Sequence, residues 1–164
     1  MNKVYQILIL LIFVSCSSDS GSEDILSDNN GNEGSGGFTG GGNQTIPELT
    51  VELISTYNNQ TASFATPYGS FMRNFIVHTP PNFDYQTESL PLLFVLHGYT
   101  GTATSIREYS GFDQIADEER FIVVYVQGTT DQFGNTGWNV NLVASFLGVD
   151  DVGFFKALIK YFKA

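Results

Sequence analysis

The sequence predicts an α/β fold in which a mostly parallel sheet is covered by helices. Residues 92–96 and residues 121–126 are two continuous apolar runs, and runs of this length are typical of strands that are buried on both faces. A segment with helix signals lies between the two runs. Buried strands that are joined by helices form parallel sheets, so the order of these elements predicts the fold class.

Two further strands are predicted ahead of the buried pair. Residues 49–54 alternate between apolar and polar side chains, which is typical of an edge strand. Phe71–His78 form a second predicted strand, and Pro80 and Pro81 end it because proline cannot donate to a strand ladder. The buried runs follow as the third and fourth strands.

Two helices are predicted from capping signals. Ser110 and Asp113 have the spacing of a capping box, which predicts a short helix through Ile115 and Ala116. A second helix is predicted to start at Asp150, a residue type that commonly caps helices, with Asp151 interacting with the helix dipole. Apolar residues at helical spacing predict the face that packs on the sheet: Val152, Phe155, Ile159 and Phe162.

The first residues have the layout of an exported lipoprotein. Lys3 gives a basic start, and residues 4–14 form an apolar run that is too short to cross a bilayer, which needs about 20 residues. The segment that ends at Cys16 resembles a bacterial lipobox, and Cys16 is the only cysteine of the chain. We predict a signal peptide over residues 1–15 and a lipid anchor on Cys16. The alternative is an ordinary signal peptide followed by an incidental cysteine.

A flexible tether is predicted over residues 16–45. This segment is rich in Gly, Ser, Asn and acidic residues, and it has too little apolar surface to offset the entropy of ordering. Its acidic residues resemble an export signal of some Gram-negative bacteria, or they form a solvated linker. The predicted location is extracytoplasmic, at the outer membrane or cell surface, or otherwise secreted. The net charge of −10 argues against nucleic acid as a partner.

The segment most typical of a functional site directly follows the first buried strand. It reads His97-Gly98-Tyr99-Thr100-Gly101, and a glycine turn at the carboxyl end of a central parallel strand exposes backbone N–H groups to ligand. We predict that His97 fixes this loop by hydrogen bonding rather than acting as a catalytic base. His78 is predicted to be an ordinary surface or half-buried histidine.

The loop after the second buried strand contains Trp138, which is either a wall of a substrate pocket or an anchor for its own loop. Asp131 and Asn135 in the same loop do not make a calcium site. Phe133 and Thr136 occupy positions where such a loop needs an oxygen ligand and a glycine. No metal or cofactor is therefore predicted.

Several motifs together resemble the polyhydroxybutyrate-depolymerase-like esterases, a family that is similar to feruloyl and acetylxylan esterases. The likeness covers about residues 73–162. Its motifs are Leu96-His97-Gly98 with Gly101, Phe112-x-x-Ile115-Ala116-Asp117, residues 121–125, Trp138-Asn139 and Val149-Asp150-Asp151-Val152-x-Phe154. The resemblance implies an α/β-hydrolase fold with a Ser-Asp-His triad in that chain order. It further implies that Gly98 and Tyr99 form the oxyanion-hole loop, with the Tyr99 N–H as one donor.

The sequence contains no G-x-S-x-G nucleophile elbow, so the resemblance implies that the serine, acid and base lie beyond Ala164. Residues 46–164 are interpreted as the N-terminal portion of an esterase domain that is inactive by itself. The predicted function is an exported carboxylic-ester hydrolase that acts on an ester-containing polymer or a plant polysaccharide. The alternatives are a serine peptidase of the same fold and a non-catalytic surface lipoprotein that binds polymer through a degenerate hydrolase domain.

Overall fold

The computed structural model of the chain describes residues 7–11, 45–140, 146 and 148–164. Cys16 and nearly all of the predicted tether lie outside the described residues. Among the described residues, six strands form one sheet and two short strands form a hairpin. In chain order the elements are β1 Ile7–Leu11, β2 Glu52–Thr56, β3 Thr61–Tyr68, β4 Phe71–His78, β5 Leu92–Leu96, α1 Ala103–Ser110, α2 Phe112–Glu119, β6 Ile122–Val126, β7 Thr129–Thr130, β8 Thr136–Gly137 and α3 Asp151–Lys163.

The prediction of a mostly parallel sheet is wrong. Among the five strands β2 to β6, only β5 and β6 form a parallel pair, whereas β4 pairs antiparallel with β6 and β3, and β3 pairs antiparallel with β2. The reason is the short turn between β3 and β4. The two-residue turn at Gly69 and Ser70 joins β3 directly to β4, and strands joined by so short a turn must be antiparallel. The sheet is therefore not the mostly parallel α/β-hydrolase sheet that the resemblance implied.

The predicted strand positions agree with the structure in part. Both Phe71–His78 and Leu92–Leu96 are strands with the predicted bounds, and the apolar run at residues 121–126 begins its strand at Ile122. The predicted edge strand lies two to three residues later, at Glu52–Thr56. β3 was not predicted, because its small and polar residues and Pro67 interrupt the apolar pattern.

Strand β1 belongs to the segment that the sequence predicts to be a signal peptide. It pairs in parallel with β5, with Ile7 opposite Leu92 and Leu11 opposite Leu96, on the side of β5 away from β6. Cleavage before Cys16 would remove β1 and leave β5 at the edge of the sheet. An edge strand exposes unpaired backbone groups that can pair with another chain.

The segment between β5 and β6 forms two helices. Thr102 caps α1, because its hydroxyl accepts a hydrogen bond from the backbone N–H of Ser105 while the Ser105 hydroxyl accepts one from the N–H of Thr102. Gly111, with φ of 66°, ends α1 and precedes α2. This left-handed conformation suits glycine, which has no Cβ to clash with the backbone.

The capping box predicted at Ser110 and Asp113 is wrong, although a helix does cover the predicted residues. Ser110 is the last residue of α1, and no side chain caps α2. The Asp113 carboxylate instead accepts hydrogen bonds from Arg107 at 2.7 Å and from the Tyr125 hydroxyl at 2.7 Å. Asp113 thus connects both helices to β6.

The start of α3 is confirmed, but its buried face differs from the predicted stripe. The Asp150 side chain caps the helix by accepting a hydrogen bond from the N–H of Gly153 at 2.8 Å. Phe154 and Leu158 are fully buried, whereas Val152 is 66% exposed. The remaining predicted residues are partly buried at the margin of the same face: Phe155, Ile159 and Phe162.

Helices lie on both faces of the sheet. One face packs on α1 and α2 through Val95, Val123 and Tyr125, and the other packs on α3 through Phe94 and Val124. Successive residues of β5 and β6 alternate between these two apolar clusters. Burial on both faces explains why these strands are continuously apolar in the sequence.

Candidate functional site

The candidate site lies where the parallel strands β5 and β6 end side by side. The loop after β5 comprises residues 97–101, and the loop after β6 leads into the β7–β8 hairpin. Ligands commonly bind at the carboxyl ends of adjacent parallel strands, because the loops there can diverge and leave backbone groups accessible. We define residues 97–101 as the His97 loop.

His97 holds this loop in place. Its side chain is nearly fully buried, and Nδ1 lies 2.7 Å from the carbonyl oxygen of Gly98. The backbone N–H of Gly128 donates to Nε2 at 2.9 Å. Because a backbone N–H can only donate, Nε2 is the acceptor and the proton resides on Nδ1. Both ring nitrogens are therefore occupied, which agrees with the predicted structural role and not with that of a free base.

Burial lowers the pKa of His97 below its ordinary value of 6.5, although the hydrogen bond to Gly98 opposes this shift. The native state therefore binds this proton less readily than the unfolded chain does. By staying neutral in the native state, His97 contributes to the free energy of unfolding. We expect this contribution to be fully present above about pH 6.5 and to decrease as the pH falls toward the native pKa.

An NMR titration of the imidazole protons tests this expectation. The chain has two histidines, so a His78→Gln variant assigns the signals. His97 should titrate below pH 6.5, and a midpoint at or above that value would contradict the buried neutral imidazole.

Trp138 anchors the His97 loop from the other side. Its indole N–H donates to the carbonyl oxygen of His97 at 2.8 Å, and the two ring centroids lie 5.2 Å apart. The Trp138 ring also lies near Phe155 of α3, with 5.8 Å between the ring centroids. Of the two interpretations of Trp138, these contacts favour the loop anchor.

The backbone N–H groups of the turn after His97 differ in whether they have a protein partner among the described residues. The N–H of Thr100 donates to the carbonyl of Thr136 at 2.8 Å, and the N–H of Gly101 donates to that of Gly98 at 3.0 Å. The N–H of Tyr99 donates to no acceptor among the described residues. A Cβ added at Gly98 would meet nothing within 4 Å, so the space beside this turn is open.

The side chain of Tyr99 connects the two loops. Its hydroxyl donates to Asp131 at 3.0 Å, and Asp131 also accepts hydrogen bonds from the N–H groups of Phe133 and Asn135, both at 2.8 Å. Burial raises the pKa of Asp131, but these hydrogen bonds outweigh burial and lower the pKa overall. The Asp131 carboxylate therefore organises its own loop. No group of three or more metal-ligating side chains occurs in the described part of the chain.

The β7–β8 hairpin packs closely against the end of β6. A Cβ added at Gly128 would lie 2.3 Å from the carbonyl oxygen of Gly137, and one added at Gly137 would lie 2.9 Å from the ring of Phe146. Only glycine fits at residue 128 without a backbone shift, and a side chain at residue 137 would have to displace the Phe146 ring. The close approach keeps the N–H of Gly128 directed at His97.

A second buried polar cluster was not predicted. Thr61 Oγ1 lies 2.7 Å from Nδ1 of His78, and Nε2 of the same ring lies 2.9 Å from the Asp117 carboxylate. The order of hydroxyl, imidazole and carboxylate matches that of a catalytic triad. However, Thr61 is only 1% exposed and His78 only 3%, so no substrate carbonyl can reach the hydroxyl. The cluster is structural, and the prediction of a surface or half-buried His78 is wrong.

A buried ion pair links α3 to the sheet. The Arg73 guanidinium lies 2.7 Å from the carboxylate of Asp151, with side chains that are 1% and 8% exposed, and 4.3 Å from the ring centroid of Phe154. The second carboxylate oxygen accepts a hydrogen bond from the backbone N–H of Asn139 at 2.7 Å. Asp151 therefore does more than interact with the helix dipole. It fixes α3 relative to β4 and to the segment after Trp138.

Comparisons with known proteins do not identify a family. No protein-family model matches the sequence, and no curated protein or solved structure matches it significantly. Among the described residues, no helix is long and apolar enough to cross a membrane. The likeness to esterases consequently depends on the sequence motifs alone.

Proposed function

We propose that this chain carries the oxyanion-stabilising loop of an exported carboxylic-ester hydrolase. The observation that supports this proposal is the backbone N–H of Tyr99. It lies at the carboxyl end of β5, next to Gly98 and the open space there, and has no acceptor among the described residues. His97 and Trp138 hold the loop on both sides, so the N–H is fixed before a ligand arrives. Fixed donors of this kind stabilise developing negative charge because they need no reorganisation during the reaction.

In the proposed reaction a serine hydroxyl attacks the ester carbonyl carbon and a base accepts the hydroxyl proton. The carbonyl oxygen becomes an oxyanion, to which the N–H of Tyr99 donates. Collapse of the tetrahedral intermediate breaks the bond to the leaving oxygen, which takes the proton back from the base and departs as the alcohol. The remaining acyl-enzyme is hydrolysed by water, which releases the acid and frees the serine. The serine, the base and its acid are expected beyond Ala164.

The test compares the hydrolysis of a nitrophenyl acetate by two proteins. The chain of 164 residues should release no nitrophenol above a heat-treated control, because a donor without a nucleophile cannot form the acyl-enzyme. The chain continued through the coding sequence beyond Ala164 should be active. Activity of the shorter chain would contradict the assignment of the nucleophile, and a folded, inactive longer chain would contradict the ester-hydrolase proposal. Cleavage of an amide substrate in preference to the ester would instead identify a serine peptidase.

A non-catalytic polymer-binding lipoprotein is the second candidate. The described residues contain only one hydroxyl, imidazole and carboxylate cluster in triad order, and its Thr61 is inaccessible. The described part of the chain therefore supplies no accessible triad of its own, and a binding module would need none. The continued chain separates the two candidates, since a binding module would retain affinity for polyester or polysaccharide while hydrolysing neither.

We further propose that the protein is exported and anchored through lipid on Cys16. Intact-mass analysis of membrane-extracted protein should show a chain that begins at Cys16 and carries two acyl chains on its thioether-linked glycerol. Cys16→Ala should abolish the added mass and the partition into detergent, while Cys16→Ser tests whether the thiol itself is required. An unmodified Cys16 behind an intact Met1 would contradict the anchor.

A further inference from the structure

A groove of about 330 Å³ lies beside α1, where this helix approaches β2, β3 and β4. It is separate from the open space at Tyr99, and the esterase proposal makes no use of it. Its volume is at the lower end of the range for small-molecule sites. We define it as the α1 groove.

The lining of the α1 groove combines uncharged polar groups with the aromatic ring of Tyr57. Of the described residues that line it, none is charged. This is notable in a chain whose net charge is −10. Phe64 and Phe75 also line the groove, but their side chains pack on the opposite face of the sheet, toward α3. The side chains relevant to binding are Tyr57, Ser63, Asn74, Thr104 and Gln127.

Two of the polar groups are available to a ligand. The side-chain amide of Asn74 and the hydroxyl of Thr104 form no hydrogen bond with any described residue, and both residues are exposed. Ser63 and Asn74 lie on neighbouring strands, opposite Ile76 and Ala65 respectively, so their side chains emerge on the same face of the sheet. The groove therefore presents the Asn74 amide and the Thr104 hydroxyl, beside the Ser63 hydroxyl, which already hydrogen-bonds to that of Ser55 at 2.9 Å.

The aromatic ring of Tyr57 is held at the margin of the groove. The Arg107 guanidinium lies 5.1 Å from the ring centroid, and Tyr57 remains 49% exposed. Arg107 is itself paired with Asp113 at 2.7 Å, so its charge is already compensated. The ring can thus offer an apolar surface without adding a free charge to the site.

We propose that the α1 groove binds a neutral pyranose ring of a polysaccharide. The axial C–H groups of such a ring pack on an aromatic face, and its hydroxyl groups both donate and accept. An amide and hydroxyl groups provide the complementary donors and acceptors. This proposal does not depend on ester hydrolysis, and either proposal can fail while the other survives.

Other ligand classes fit the lining less well. A nucleotide needs cationic groups for its phosphates, and the Arg107 guanidinium beside the groove is already paired. A lipid tail or an aliphatic polyester would remove water from the Asn74 amide without replacing its hydrogen bonds, which is unfavourable. An anionic polysaccharide would find no cation in the lining.

One lining residue also contacts the His97 loop. The Gln127 side-chain oxygen accepts a hydrogen bond from the N–H of Ala103 at 2.9 Å, while its nitrogen lies 3.1 Å from Nε2 of His97. Gln127 therefore connects a saccharide in the groove to His97, the residue that holds this loop.

Isothermal titration calorimetry, with xylohexaose added to the detergent-solubilised full chain, tests the proposal. We expect saturable binding that Tyr57→Ala and Asn74→Ala each weaken by about tenfold, because each removes one contact of the sugar. Both side chains are exposed, so the variants should retain the circular dichroism spectrum of the parent. Thr104→Val keeps the shape of the side chain and removes only its hydroxyl, so it should weaken binding as well.

The control variant is Tyr85→Ala, which removes a tyrosine that is 78% exposed and does not line the groove. It should bind xylohexaose as tightly as the parent. Absence of binding to the folded parent would overturn the proposal. So would equal weakening by Tyr57→Ala and Tyr85→Ala, or binding of hexagalacturonate in preference to xylohexaose.

Discussion

Replacing Asp151 by alanine should lower the free energy of unfolding by about 3 to 5 kcal/mol, because it leaves the Arg73 charge buried without a partner. Arg73 is 2% exposed, and one of its guanidinium nitrogens, Nε, already lacks a hydrogen-bond partner among the described residues. Water cannot easily replace the lost carboxylate. The same substitution also removes the acceptor for the N–H of Asn139. Urea denaturation followed by circular dichroism measures the loss.

The adjacent aspartate supplies a matched control. Asp150→Ala removes the N-cap of α3 and the acceptor for the Tyr68 hydroxyl at 3.1 Å. It should cost only about 1 to 2 kcal/mol, since both lost hydrogen bonds are exposed and leave no buried charge. The double variant Arg73→Met with Asp151→Leu should recover much of the stability by replacing the pair with apolar side chains. Equal losses for Asp150→Ala and Asp151→Ala would show that the ion pair contributes no more than a helix cap.

The elements that the sequence predicts correctly are those with local causes. The bounds of β5 follow from a continuous apolar run, and the end of β4 follows from Pro80. α3 begins where Asp150 can cap it. Each of these signals depends on residues within one turn or strand, so no knowledge of the neighbouring elements is needed.

The direction of the strands could not be obtained in the same way. Continuous apolar character indicates burial on both faces, and this holds for β5 and β6, but it does not determine how the other strands pair. The antiparallel part of the sheet depends on the hairpin at Gly69, whose first strand, β3, has a weak strand pattern. The α1 cap was missed because Thr102 pairs with Ser105, whereas the familiar pattern has Glu or Gln at that position.

The candidate site also combines features that the local sequence predicts with features that it does not predict. The His97 loop is contiguous in sequence and follows a recognisable strand, so Gly98 and Tyr99 could be located from the motif. In contrast, the partners of His78 are 17 and 39 residues away, and Arg73 is 78 residues from Asp151. Contacts over such separations depend on strand register, which the sequence pattern did not provide.

In an active protein continued beyond Ala164, we expect His97→Ala to lower kcat by about 10²-fold and to change KM little. His97 does not touch the substrate in the proposed reaction, so it is a positioning residue. Its removal frees the Gly98 carbonyl and the loop from Gly128, and the N–H of Tyr99 then points less accurately at the oxyanion. A misplaced donor weakens binding of the transition state more than binding of the ester, and losing one such donor typically costs 10²- to 10³-fold.

A second histidine variant distinguishes positioning from general destabilisation. His78→Ala disrupts the buried cluster with Thr61 and Asp117, so it should lower the melting temperature while leaving kcat unchanged below that temperature. Trp138→Phe keeps an aromatic ring but removes the donor to the His97 carbonyl, and it should cause a smaller loss of kcat of the same kind. Equal losses of kcat for both histidine variants would attribute the effect to stability. An unchanged kcat in folded His97→Ala would show that this loop does not stabilise the oxyanion.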